Sequence, residues 1–161
     1  MRKTLITLLT TIVLLSVPAI GQAASKVSYK SSSETQVLSL INQIRAQHNL
    51  SKLTMNSSLR SAAKAHSTDM LSNGYFEHDG PTESWDTRVS RYLKSSMVGE
   101  NIAWGQGSFG SAQGIVTQWM QSPPHRAIIL TAGFKRIGIS LASGTYNGTP
   151  GAVMATADFA A

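Results

Sequence analysis

Apolar residues recur at helical spacing through the first two-thirds of the chain and alternate strictly only near its end. Val37, Leu38, Ile41 and Ile44 fall on one stripe, and Ser33-Glu34-Thr35-Gln36 ahead of them has the form of a capping box. These residues predict a helix from Ser33 to about His48, ended by Asn49. Leu59, Ala62, Ala63, His66 and Met70 predict a second helix from about Ser57, with Asn73-Gly74 as its stop. Trp85, Val89 and Tyr92 suit a short third helix after Gly80-Pro81, and Ile115, Val116, Trp119 and Met120 suit a fourth. The Pro123-Pro124 pair ends that fourth helix, because a proline in a helix interior removes an amide donor and clashes with the preceding turn. Ser122 can then cap a short turn holding His125 to Leu130.

Strand periodicity comes late. Ile137, Ile139 and Leu141 alternate with Gly138 and Ser140, and Val153, Ala155 and Ala157 alternate toward Phe159, across a turn-rich link from Ser143 to Gly151. Helices first and an antiparallel hairpin last predict a single α+β domain. The Ser- and Lys-rich stretch 24–32 has little to bury and is expected to be a flexible lead-in to a domain spanning 33–161.

The N-terminus changes the picture of where the protein works. Arg2-Lys3, an apolar run from Leu5 to Val17, Pro18 and the small residues Gly21-Gln22-Ala23-Ala24 have the form of a secretory signal over residues 1–23. The apolar run is too short for a bilayer span, which needs about 20 residues, so no transmembrane anchor is expected. The expected location is secreted, extracellular or periplasmic. The 161 residues carry 14 Lys and Arg against 8 Asp and Glu; without Arg2 and Lys3 the balance is +4, too small and too scattered to imply nucleic acid. With no Cys, a disulfide scaffold, a thiol nucleophile and a Cys-based zinc site are excluded, so stability must come from a packed core.

Three chemistry-bearing residues sit where the backbone is punctuated. His78 lies in Phe76-Glu77-His78-Asp79-Gly80-Pro81, Glu100 in Gly99-Glu100-Asn101, and His125 in Ser122-Pro123-Pro124-His125-Arg126. Imidazoles with a carboxylate are an ordinary ligand set for zinc or another divalent metal. The bland alternative has His78 closing its turn through the backbone, Glu100 paired with Arg126, and His125 capping a helix. His66, on an apolar stripe, reads as a core residue bonded to a neighbour, and His48 as a helix-end residue. Gly105-Gln106-Gly107-Ser108-Phe109-Gly110 lacks the context of a phosphate cradle and reads as a flexible loop. Trp85 and Trp119, at helical spacing, read as core, whereas Trp104 and Phe109 could form an exposed contact loop.

Four strings in order are similar to a known family: Tyr75 to Pro81, Gly99-Glu100-Asn101-Ile102-Ala103-Trp104-Gly105, Trp119 to Leu130, and Phe134-Lys135-Arg136-Ile137-Gly138-Ile139. Together they resemble a bacterial, secreted member of the CAP superfamily, which unites cysteine-rich secretory proteins, antigen 5 and pathogenesis-related proteins. The resemblance implies an α-β-α sandwich with a central antiparallel sheet and an open cleft, where His78, Glu100 and His125 fill three of four family positions. The fourth, an acidic residue, is replaced in the stretch Gln121-Ser122; Asp79 stands where many relatives have Ser, and Ile128 where they have Asn.

On this basis His78 and His125 are candidate metal ligands, with Glu100 as ligand or as partner behind a ligand, and a lipid, sterol or glycan is the expected small extracellular ligand. The second reading is a metal-assisted hydrolase of peptide or cell-wall polymer, with Glu100 or Asp79 as base. A third is a cell-surface interaction protein. Binding is favoured over catalysis because the fourth carboxylate is missing.

Overall fold

The computed structural model of the protein describes residues 27–161; the expected signal segment, residues 1–23, lies outside them. The elements in chain order are β1 (Ser28–Tyr29), α1 (Ser31–Gln47), β2 (Thr54–Met55), α2 (Ser57–Asn73), α3 (Trp85–Tyr92) and β3 (Val98–Gly105). They are followed by α4 (Ala112–Gln121), α5 (Pro123–Ile129), β4 (Arg136–Tyr146) and β5 (Thr149–Ala160). The sheet runs β1-β4-β5-β3, antiparallel throughout, with the short β2 added parallel to β4.

Alternation along β4 and β5 sorts the sheet into two unlike faces. Ile137, Ile139, Leu141, Val153, Ala155, Ala157 and Phe159 meet Val37 and Ile41 of α1, Ile115 and Trp119 of α4 and Ile129 of α5 in one apolar layer. The other face packs against α2 and α3, through Met70 and Leu71 with Ala142, Ala152 and Met154, and through Leu59 and Val89 with Ala160. Between those apolar ends the second layer buries polar groups: His66, Ser67, Glu100, Ser140, Thr156 and Asp158. The α-β-α sandwich is therefore greasy on one side of its sheet and has a polar belt on the other. That belt leads to the site.

Local signals place the helix ends, with one shift. Asn56 caps α2 by accepting from the Leu59 amide at 3.0 Å, and Gly74 ends it in the left-handed conformation at φ 69°. Helix α1 begins at Ser31, not Ser33, and no side chain caps it. Glu34 is buried and bonds Arg60 of α2 at 2.7 Å, so tertiary pairing sets this end in place of the expected capping box. The expected lead-in is likewise partly structured, because Ser28 and Tyr29 pair with Ser143 and Ala142 on the edge of β4.

One strand was not anticipated, and the expected flexible loop and turn-rich link are corrected. Strand β3 does not show in the periodicity, because Gly99 through Ala103 are all buried and have no alternation. The glycine-rich segment after it is tightly folded: a Cβ on Gly105 would lie 2.6 Å from the Phe109 carbonyl carbon, so the loop doubles back on its own backbone. The turn between β4 and β5 shrinks to Asn147-Gly148, both with positive φ, since the strands extend further than their alternating residues.

Candidate functional site

Strand β3 lies at the edge of the sheet, paired with β5 alone. Successive residues on it point to opposite faces, and this places the two histidines. Glu100 faces the α2 side and accepts a hydrogen bond from His78 Nδ1 at 2.9 Å. Asn101 faces the other side and donates from Nδ2 to the His125 carbonyl at 3.0 Å. The rings of His78 and His125 thus meet across the strand edge, with centroids 6.3 Å apart. His78, Glu100 and His125, separated widely in sequence, are brought together.

The loop carrying His78 is pinned from beneath by two residues that sequence reasoning left out of the site. Arg88 of α3 donates to the His78 carbonyl at 3.1 Å and, through Nη2, to the second oxygen of Glu100. His66 of α2 lies 3.0 Å from the Glu77 carbonyl through Nε2; a carbonyl only accepts, so Nε2 carries the proton. His66 is thus the core histidine bonded to a neighbour that its apolar stripe predicts, and it also stands 4.0 Å from Glu100. Asp79 accepts from the Trp85 amide at 2.9 Å and so ties the loop to the start of α3. Arg126 is not the partner of Glu100; Arg88 is, because α3 lies against β3 on the face where Glu100 points. The signal that could have found Arg88 is its place, with Trp85 and Val89, on the inward stripe of a short helix.

Charge and burial explain the protonation states. Burial alone would push the Glu100 carboxyl up, but the His78 hydrogen bond, the Arg88 guanidinium and His66 outweigh it and hold the group below its usual range. An ionised carboxylate accepts only, so His78 Nδ1 carries a proton, and in the neutral ring the lone pair lies on Nε2. Burial lowers His125, and His78 lowers it further, which favours neutral imidazole. Its Nδ1 is engaged with the Ser122 hydroxyl at 2.8 Å. Asp158, opposite Glu100 in the β3–β5 ladder, is wholly buried with no hydrogen-bond partner among the described residues. Burial and the Glu100 charge push its carboxyl well above the usual range.

Both site histidines use Nδ1 for protein contacts, which leaves two Nε2 atoms as the available donors. Zinc bonds such imidazole nitrogens at about 2.0–2.1 Å. Both oxygens of Glu100 are already engaged, so it fits as the partner that orients His78 and not as a third ligand. Among the described residues, no group of three or more His, Cys, Asp or Glu is placed to hold a metal ion. The remaining positions around an ion would fall to water or ligand atoms. Beside His125 the cleft opens into a hollow of about 230 Å³ lined by Phe76, Ile102, Trp104, Gln118, Trp119 and Ser122.

The chain is thus an α-β-α sandwich with two histidines held across an edge strand, and comparison with known proteins gives its family. Residues 38–159 match the cysteine-rich secretory protein family, CAP, and the chain belongs to that family. Among relatives, it is 35% identical over 108 residues to the uncharacterised protein YkwD of Bacillus subtilis, covering 66% of this chain and 41% of that one. An extracellular protein of Bacillus anthracis containing an SCP domain superposes with a TM-score of 0.69 at 29% identity, over 81% of this chain and 41% of that one. An outer surface protein of Borrelia burgdorferi shares the fold, with a TM-score of 0.74 at 19% identity over 84% and 96% of the two chains. The chain thus spans less than half the length of each of the two Bacillus proteins. Among the described residues no helix is long and apolar enough to cross a membrane.

Proposed function

We propose that this CAP domain is exported and works as an extracellular binding module whose cleft takes a divalent cation, zinc by donor type, between His78 and His125. The observation that carries the reading is the His78–Glu100–Arg88 chain. It assigns the proton of the neutral His78 ring to Nδ1, which leaves Nε2 as the nitrogen available to a cation, and the His125 ring stands 6.3 Å away. A carboxylate behind a ligating histidine raises its basicity and fixes its orientation. A cation held there would offer its open positions to an extracellular ligand. Export is supported by the leader-like residues 1–23 and by the extracellular and outer-surface character of the structural neighbours.

Binding is favoured over hydrolysis because Glu100 has both oxygens engaged, by His78 and Arg88, and Asp79 accepts from the Trp85 amide at the start of α3. The test is calorimetric titration of zinc into metal-stripped protein, beside His78→Ala, His125→Ala and Glu100→Gln. One ion per chain is expected for the wild type, with binding lost in either histidine variant and weakened about 10- to 100-fold in Glu100→Gln. Absence of binding by the wild type, or equal affinity in His125→Ala, refutes the cation site.

A further inference from the structure

The hollow beside His125 differs in character from the histidine pair. None of the residues that line it carries a fixed charge. The neutrality is regional: residues 102–124 and 137–157 contain no Asp, Glu, Lys or Arg at all, in a chain that has 22 of them. Two large aromatic residues are nevertheless exposed here, Trp104 at 37% and Phe109 at 67%. Trp104 is braced edge-on by Tyr146 with ring centroids 5.0 Å apart, so its orientation is set. Gln118 joins the two features, since it lines the hollow and donates to the Phe109 carbonyl at 3.0 Å.

We propose that this hollow, continued past Gln118 to Phe109, is a subsite for a neutral saccharide chain. The C–H faces of sugar rings pack on exposed aromatic rings, and uncharged amide and hydroxyl groups such as Gln118 and Ser122 pair with sugar hydroxyls. An anionic polymer or anionic lipid surface would call for Lys or Arg here, and the region has none. An extended peptide adding to the edge of β3 would need free backbone groups, but the Trp119 indole already donates to the Ile102 carbonyl at 3.0 Å. The inference rests on the cleft being a ligand site, but not on the cation.

The test is titration of the protein with N-acetylglucosamine tetramer and with cellotetraose, read by calorimetry and by tryptophan fluorescence. Polygalacturonate, phosphatidylglycerol vesicles and an uncharged extended peptide serve as comparison probes. Saturable binding of a neutral tetramer is expected, weakened about tenfold in Trp104→Ala and severalfold in Phe109→Ala. Unchanged thermal melting of these two variants separates lost contact from misfolding. Binding retained in His78→Ala after zinc binding is lost supports the saccharide site and separates it from the cation site. Failure of both neutral tetramers to bind, equal affinity in Trp104→Ala, or saturable binding of the anionic polymer, vesicles or peptide in their place overturns the proposal.

Discussion

Replacing Arg88 by Met tests the site and the fold together. Arg88 and Glu100 are 4% and 2% exposed, so their ion pair is buried, and Met keeps most of the side-chain volume while removing the charge. The substitution deletes the bond to Glu100 and the bond to the His78 carbonyl, and leaves a buried carboxylate held by His78 alone. Removing one member of a buried pair costs about 3–5 kcal/mol. The exposed edge of His78 lets water reach that end, so the lower figure, about 3 kcal/mol, is expected. In a domain of this size that is on the order of 10 °C in Tm. Urea unfolding at pH 7 of wild type, Arg88→Met, Glu100→Gln and the double variant measures both the loss and the coupling. The coupling should exceed about 1 kcal/mol.

The same variant has a pH signature. Glu100 sits below its usual range in the folded protein, so its contribution is present above the unfolded carboxyl value and is lost as pH falls through the folded one. Without Arg88 the burial penalty gains weight, and the acid loss should begin at a higher pH. A cost below about 1 kcal/mol with additive single effects would refute the reasoning, because the pair would then contribute nothing specific.

Asp158→Asn should stabilise the domain at pH 7. The folded carboxyl binds its proton more tightly than the unfolded one, so wild-type stability falls as pH rises from the usual aspartate range toward the raised value; a variant that keeps this slope would show another group to be its source. Gly138→Ala should cost more than about 3 kcal/mol in urea unfolding, because its Cβ would lie 2.0 Å from the Leu59 carbonyl carbon and 2.1 Å from the Arg60 nitrogen, and only backbone movement of α2 can relieve that. A loss under about 1 kcal/mol would mean that α2 does not press on β4 there. Trp119→Phe should lose about 1–3 kcal/mol, since the Ile102 carbonyl loses its indole donor, and Trp119→Ala about 3–5 kcal/mol from the cavity; equal melting of both variants and wild type would contradict the core placement.

The helices and the final hairpin were legible in the sequence because each rests on local physics. The stripe Leu59-Ala62-Ala63-His66-Met70 faces one way on any helix, Gly74 can adopt a left-handed stop, and two prolines after Gln121 can only interrupt. The candidate residues His78, Glu100 and His125 were legible through their motif strings. Periodicity left β3 hidden because both its faces are buried, and a strand covered on both sides has no alternation to read. The start of α1 was displaced where Glu34, buried and 26 positions from its half-exposed partner Arg60, took a tertiary bond in place of the capping pattern.

What the sequence by itself determined is the set of elements, the neutral and charged stretches, and which side chains are available for chemistry. The tertiary structure alone decided their partners: that Glu100 meets Arg88 and not Arg126, that Asp79 bonds the first amide of α3, and that Asp158 is buried opposite a carboxylate. The physical reason is that helix and strand signals act over a few residues. Charge pairing and burial depend on which faces the packed layers press together, and here a single edge strand, with Glu100 and Asn101 on its opposite faces, sets where both histidines lie.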